Sequence, residues 1–131
     1  MAPWPLVIFG RKIATEIIKP WVVNHEAATS ILSYGEVTEY IKGYSDFTRH
    51  QNNLKDLLGE VYTYFLTYSI LDRYTDIRRG LRPPNGSGLI GDIDTLIAAT
   101  AMEYDLVLVT ADHDFERVPG LNVKIIDTRA R

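Results

Sequence analysis

Short, unbroken apolar runs alternating with stretches of helical periodicity set what this chain can fold into. Leu106 to Val109 is the clearest run. It is too short for a helix and apolar throughout, so it reads as a central strand buried on both faces. It comes after Asp92 to Tyr104, where Ile93, Leu96, Ile97, Ala98 and Met102 recur at helical spacing. Leu6 to Phe9, between Pro5 and Gly10, and Val123 to Ile126 read as further strands. Val61 to Leu66, aromatic and β-rich, reads as another buried one. Between these runs Ile13, Ile17 and Ile18 mark a helix stopped by Pro20. After a short extended segment, Ala27 to Leu32, the residues Tyr34, Val37, Tyr40 and Ile41 mark a second helix, ended by Gly43. Leu54, Leu57 and Leu58 mark a third, closed by Gly59. Ile70, Tyr74 and Ile77 mark a fourth, with Ser69 as its N-cap. The alternation predicts a three-layer α/β/α fold on a mostly parallel sheet of four to five strands. The Pro-, Gly-, Asn- and Ser-rich stretch from Leu81 to Gly91 reads as a surface loop, because the segment C-terminal to it is too short to fold alone. A single domain over residues 1–131 is therefore expected.

Composition removes several classes of function. With no cysteine there is no disulfide framework, thiolate zinc site or cysteine nucleophile. No apolar run approaches the roughly 20 residues that span a bilayer, and no basic segment precedes the first apolar run, so a cytoplasmic protein without membrane attachment is expected. The net charge of −3 requires that any nucleic-acid contact use a local basic patch. No Gly-rich phosphate loop stands after the first strand, and no G-x-S-x-G elbow is present. His25, His50 and His113 lack metal-ligand spacing.

Acidic residues instead gather where apolar strands end or helices begin. Asp92 and Asp94 stand at the head of the Leu96-Ile97-Ala98 helix, Asp112 and Asp114 come just after the strand ending at Val109, and Glu36 opens a helix after the Ala27 to Leu32 segment. In a parallel sheet, ligands bind at the carboxyl ends of the strands. Carboxylates meeting there repel one another unless a hard cation such as Mg²⁺ lies between them. Each also has a purely structural reading. Asp92 suits an N-cap, Asp94 suits the positive end of a helix dipole, Asp112 and Asp114 suit a turn, and Glu36 suits a solvated helix face.

The ordered segments Gly91-Asp92-Ile93-Asp94-Thr95-Leu96-Ile97-Ala98-Ala99-Thr100-Ala101, Leu108-Val109-Thr110-Ala111-Asp112-His113-Asp114-Phe115 and Val118-Pro119-Gly120-Leu121 resemble the C-terminal half of VapC-type PIN domains. Ser30 to Val37 resembles that family's serine-to-glutamate segment, and Arg78, Arg79, Leu81 and Arg82 fit its pattern before the loop. The resemblance implies a PIN-like fold and a Mg²⁺- or Mn²⁺-dependent endoribonuclease. Its metal and catalytic acids would be Asp94, Asp112 and Glu36, with Asp114 a close second to Asp112 and Glu39 a competing register for Glu36. Arg78, Arg79 and Arg82, together with Arg117, are the implied phosphate contacts, and Thr110 would position the acidic turn or a water. Tyr62, Tyr64 and Tyr68 are candidates for stacking on bases or for the core. The resemblance also implies an RNA substrate, a homodimer and a cognate small antitoxin. Trp4, Trp21, Tyr40 and Tyr44 are candidates for interfaces or for the core.

The N-terminus departs from the pattern. Family members end their first strand in Asp-Thr-Asn or Asp-Thr-Ser, whereas this chain reads Gly10-Arg11-Lys12. Losing a ligand carboxylate and gaining two cations opposes metal binding. Three explanations stay open. The domain is a catalytically impaired module that binds RNA or an antitoxin-like partner without cutting; or the remaining acids hold metal more weakly while Arg11 or Lys12 serves phosphate; or the start region departs from the natural gene.

Overall fold

The computed structural model describes residues 5–7, 20 and 22–126. Within them, five short strands form one sheet: β1 (Pro5–Val7), β2 (Ala28–Ser30), β3 (Tyr62–Tyr64), β4 (Val107–Thr110) and β5 (Val123–Ile125). Their order across the sheet is β3-β2-β1-β4-β5, and every described pairing is parallel. The register sets Leu6 beside both Ala28 and Leu108, and Leu108 beside Val123. Parallel strands need crossover connections, which here run through helices α1 (Ile31–Ile41), α2 (Phe47–Leu58), α3 (Tyr68–Leu81) and α4 (Asp92–Glu103). A five-stranded parallel sheet flanked by helices is the architecture the alternation predicts. The expected helix over Ile13 to Ile18 lies outside the described residues, as do Trp4, Trp21, Gly10, Arg11 and Lys12.

The larger core lies between the sheet and the pair α3 and α4. It joins Ala28 and Leu108 to Ile70, Ile77, Leu81, Ile97, Ala98, Ala101 and Phe115. A smaller cluster around Ala27 takes in Val37 of α1, Leu57 and Leu58 of α2, and Val22 and Val61. Successive residues of a strand face opposite sides of a sheet, so Ala27 and Ala28 feed different clusters and the sheet is covered on both faces. α4 sits in the middle of the larger core and buries an unusual run, from Ile97 through Ala101 with Thr95. The hydroxyls of Thr95 and Thr100 donate back along the helix to Gly91 O and Leu96 O, at 2.8 Å each. With their polar atoms satisfied inside the helix, both threonines can be buried at little cost.

Three local expectations change. Among the described residues β3 pairs only with β2, so it is an edge strand rather than a buried one; Tyr62 is 58% exposed and Phe65, just beyond it, 63%. Thr67, not Ser69, caps α3, its hydroxyl accepting from Ile70 N at 3.2 Å. α1 stops at Ile41 with Lys42 as its C-cap in right-handed conformation, so Gly43 is not the terminator. Among the described residues no helix is long and apolar enough to cross a membrane.

The fully buried Ile97 and the exposed Ile93 share α4 and test this packing. Ile97→Ala should cost roughly 2–5 kcal/mol, and Ile93→Ala less than about 1 kcal/mol, both read by urea denaturation. Equal losses would contradict the placement of α4.

Candidate active site

Three connections bring acidic groups to the carboxyl-terminal ends of the strands. α1 begins directly after β2, with Ser30 as its N-cap; the Ser30 hydroxyl accepts from Leu32 N at 3.1 Å. This fixes the first turn, and Glu36 lies further along the helix. α4 begins at Gly91, which serves as N-cap without a side-chain hydrogen bond. Asp92 therefore occupies the first turn and is not the cap. Asp94 stands in the same turn, with its Oδ2 lying 3.9 Å from where a Cβ on Gly91 would stand. The carboxylate thus lies back over the start of its own helix.

The third connection leaves β4. Thr110 is buried, and its hydroxyl accepts from Asp112 N at 3.1 Å. Asp112 then caps a short 3₁₀ turn (His113–Arg117), its Oδ1 accepting from Asp114 N at 2.9 Å. Phe115 is buried beneath the turn, leaving Asp112 and Asp114 exposed. Thr110 is therefore tied to the backbone of the acidic turn.

Electrostatics ties these pieces together. Burial pushes the Asp94 carboxyl above its ordinary range, and the charges of Asp112 and Asp114 push it further. The positive end of α4 should lower it, so desolvation and like charge win. Glu36 is likewise raised, first by burial, then by Asp94, then by Glu39. One side of Glu36 stays open to solvent, while the other is desolvated by the protein. Asp94 thus enters both shifts, raised itself by Asp112 and Asp114 and acting in turn on Glu36. Yet among the described residues no three acidic or histidine side chains stand close enough together to hold an ion. These two findings agree once the cation is considered. Mg²⁺ keeps several waters and takes one or two carboxylates plus substrate phosphates, so an all-protein cage is not required. An all-oxygen donor set, charged alike and partly desolvated, fits such a cation.

The surrounding residues divide clearly. Arg78 is paired with Asp92, and the Tyr74 hydroxyl donates to the same carboxylate at 3.2 Å. Arg117 donates to Leu89 O at 3.3 Å and lies 3.8 Å from Asp114, joining the loop to the acidic turn. Arg79 and Arg82 are exposed and carry no ion pair among the described residues. Tyr64 stacks on Tyr104 with ring centroids 4.3 Å apart, so one of its faces is occupied within the chain, whereas Tyr68 stands almost wholly in solvent. Tyr40 and Tyr44 are exposed and bonded to each other through their hydroxyls. His113 is exposed, 2.7 Å from Glu116. Gly10 lies outside the described residues. Tyr74 and the Arg78–Asp92 pairing carried no sequence signal, because the partners come from different helices.

A parallel five-stranded sheet flanked by helices, with acids at its carboxyl edge, defines an α/β domain. The PIN domain profile matches residues 6–121, and the chain belongs to the PIN domain family. PIN domains are generally nucleases that use divalent metal ions. The fold is similar to that of several solved structures. A DNA-bound VapBC from Salmonella typhimurium aligns with a TM-score of 0.78 at 19% identity, over 92% of this chain and 97% of that one. VapBC2 from Rickettsia felis, bound to a promoter DNA fragment, gives 0.74 at 22%, over 86% and 84%. VapBC-5 from Mycobacterium tuberculosis, a member of the VapBC family of toxin-antitoxin systems, gives 0.72 at 20%, over 96% and 98%. No curated protein sequence matches the chain.

The raised acids predict a pH effect in metal-free protein. A carboxyl whose pKa is higher in the folded than in the unfolded chain binds more protons when folded, so stability falls as pH climbs from the ordinary carboxylate range through the raised values. Asp94→Asn removes the hub of that repulsion. At neutral pH and without divalent ions it should raise Tm by about 2–5 °C, and Mn²⁺ should then stabilise the wild type but not the variant. A lower Tm for the variant under these conditions would contradict the repulsion.

Proposed function

We propose that this protein is a metal-dependent endoribonuclease of the VapC toxin type, hydrolysing RNA phosphodiesters as the toxin of a toxin–antitoxin pair. What supports the reading is the placement of Glu36 after β2, Asp94 at the head of α4, and Asp112 and Asp114 after β4, with burial and like charge raising the Asp94 and Glu36 carboxyls. Glu36, Asp94 and Asp112 are the proposed ligands of one or two Mg²⁺ or Mn²⁺ ions, with Asp114 beside them. Such an ion would supply positive charge against the phosphoryl oxygens and acidify an attacking water. Asp94, desolvated and central, would give the ion its principal anchor, and Glu36, open to solvent on one side, would be placed to accept the water's proton. Thr110 would keep Asp112 turned toward the group through its bond to Asp112 N. Arg79 and Arg82, on the exposed end of α3 and the loop after it, are the proposed phosphate contacts. The VapBC names of the similar structures support a small antitoxin as partner. A homodimer in the cytoplasm completes the proposal.

A second reading, a PIN module that binds RNA or a partner without cutting, is favoured by Gly10, where family members carry an aspartate. The two separate in one experiment on purified protein with single-stranded RNA and Mn²⁺. The nuclease reading expects cleavage that Asp94→Asn lowers by about a hundredfold or more, and that Arg79→Gln with Arg82→Gln weakens at the binding step, reducing the salt slope by about 2. If the wild type is inert and Gly10→Asp restores cutting, the non-catalytic reading holds. Inertness of both would reject the nuclease assignment.

A further inference from the structure

The family resemblance places Arg78 at an RNA phosphate, and the structure gives it other work. Its guanidinium pairs with Asp92 in the first turn of α4 and lies 5.7 Å over the Tyr74 ring, while the Tyr74 hydroxyl donates to the same Asp92 oxygen. The Arg78 side chain is only 25% exposed, against 68% for Asp92. To meet a phosphate, Arg78 would have to leave both the carboxylate and the ring; Arg79 and Arg82 would break no ion pair among the described residues.

The other end of this contact explains what the pair does. Gly91, the N-cap of α4, makes no side-chain cap bond. A helix start on an uncapped glycine has unsatisfied N–H groups and the loosest backbone of any residue type. Gly91 offers its carbonyl to Thr95 but no side chain to the first N–H groups, and Asp92 is the next residue, so the pair with Arg78 ties that turn to α3. Asp94 stands in that same turn, with its carboxylate folded back over Gly91.

We infer that Arg78 is a positioning residue: through Asp92 it clamps the first turn of α4 and so sets the Asp94 carboxylate. The effect on the cation rests on the function proposed above; the clamp between α3 and α4 does not. The test uses Arg78→Gln, Asp92→Asn and the double variant of the full chain. Binding of Mn²⁺ alone is monitored by electron paramagnetic resonance well below Tm. Each single variant should weaken it about tenfold, and the double variant should be no worse than the weaker single, because both remove one device. Cleavage should lose kcat with KM unchanged. The salt slope for a short single-stranded RNA should stay at its wild-type value.

A charge effect alone would move the two single variants in opposite directions, since one removes a positive and the other a negative charge; that result overturns the inference. So does a drop of about 1 in the salt slope for Arg78→Gln only, the signature of a phosphate contact. Wild-type protein that takes up no Mn²⁺ and cuts no RNA would reject the proposed function instead. The clamp is then decided by thermal unfolding: losses in Tm that fail to add in the double variant support it, and additive losses overturn it.

Discussion

The burial of α4 against the sheet constrains everything else in the molecule. Ile97, Ala98, Ala99 and Ala101 vanish from solvent together with two threonines that satisfy their own hydroxyls. Small side chains let the helix lie close to Ala28 and Leu108, and α3 closes over it through Ile70, Ile77 and Leu81. Packing against the sheet and α3 fixes where this helix runs. Its first turn is therefore delivered to the carboxyl edge of the sheet, where the connections after β2 and β4 also emerge.

That placement has an electrostatic cost which the fold does not relieve. Asp94 is partly desolvated and pushed up by the charges of Asp112 and Asp114, and Glu36 is pushed up in turn by Asp94. A fold that only needed stability would place amides or alanines there. Unrelieved like charge on partly desolvated carboxylates marks a candidate functional site, and an oxygen-rich, acidic group suits a hard divalent ion. The cations nearby are placed differently. Arg78 is paired with Asp92 and Arg117 donates to Leu89 O, whereas Arg79 and Arg82 face solvent. Arginines that look equivalent in the sequence thus stand in different surroundings.

The alternation of strand and helix, the parallel sheet and the acids at its edge were all legible along the chain. They depend on local periodicity and on the rule that strand ends carry the site, and both can be read one segment at a time. The motif around Asp94 and Asp112 also carried the family, which the profile over residues 6–121 then established. Packing across elements set the remainder. β3 lies at the sheet edge because of strand order, which no single segment encodes. Asp94 acts on Glu36 because the crossover after β2 and the start of α4 come from different parts of the chain to the same edge of the sheet. Arg78 pairs with Asp92 because two helices distant in sequence pack side by side. Spacing along a chain fixes what a residue can reach within its own element; which neighbour it meets in another element is set only when the core closes.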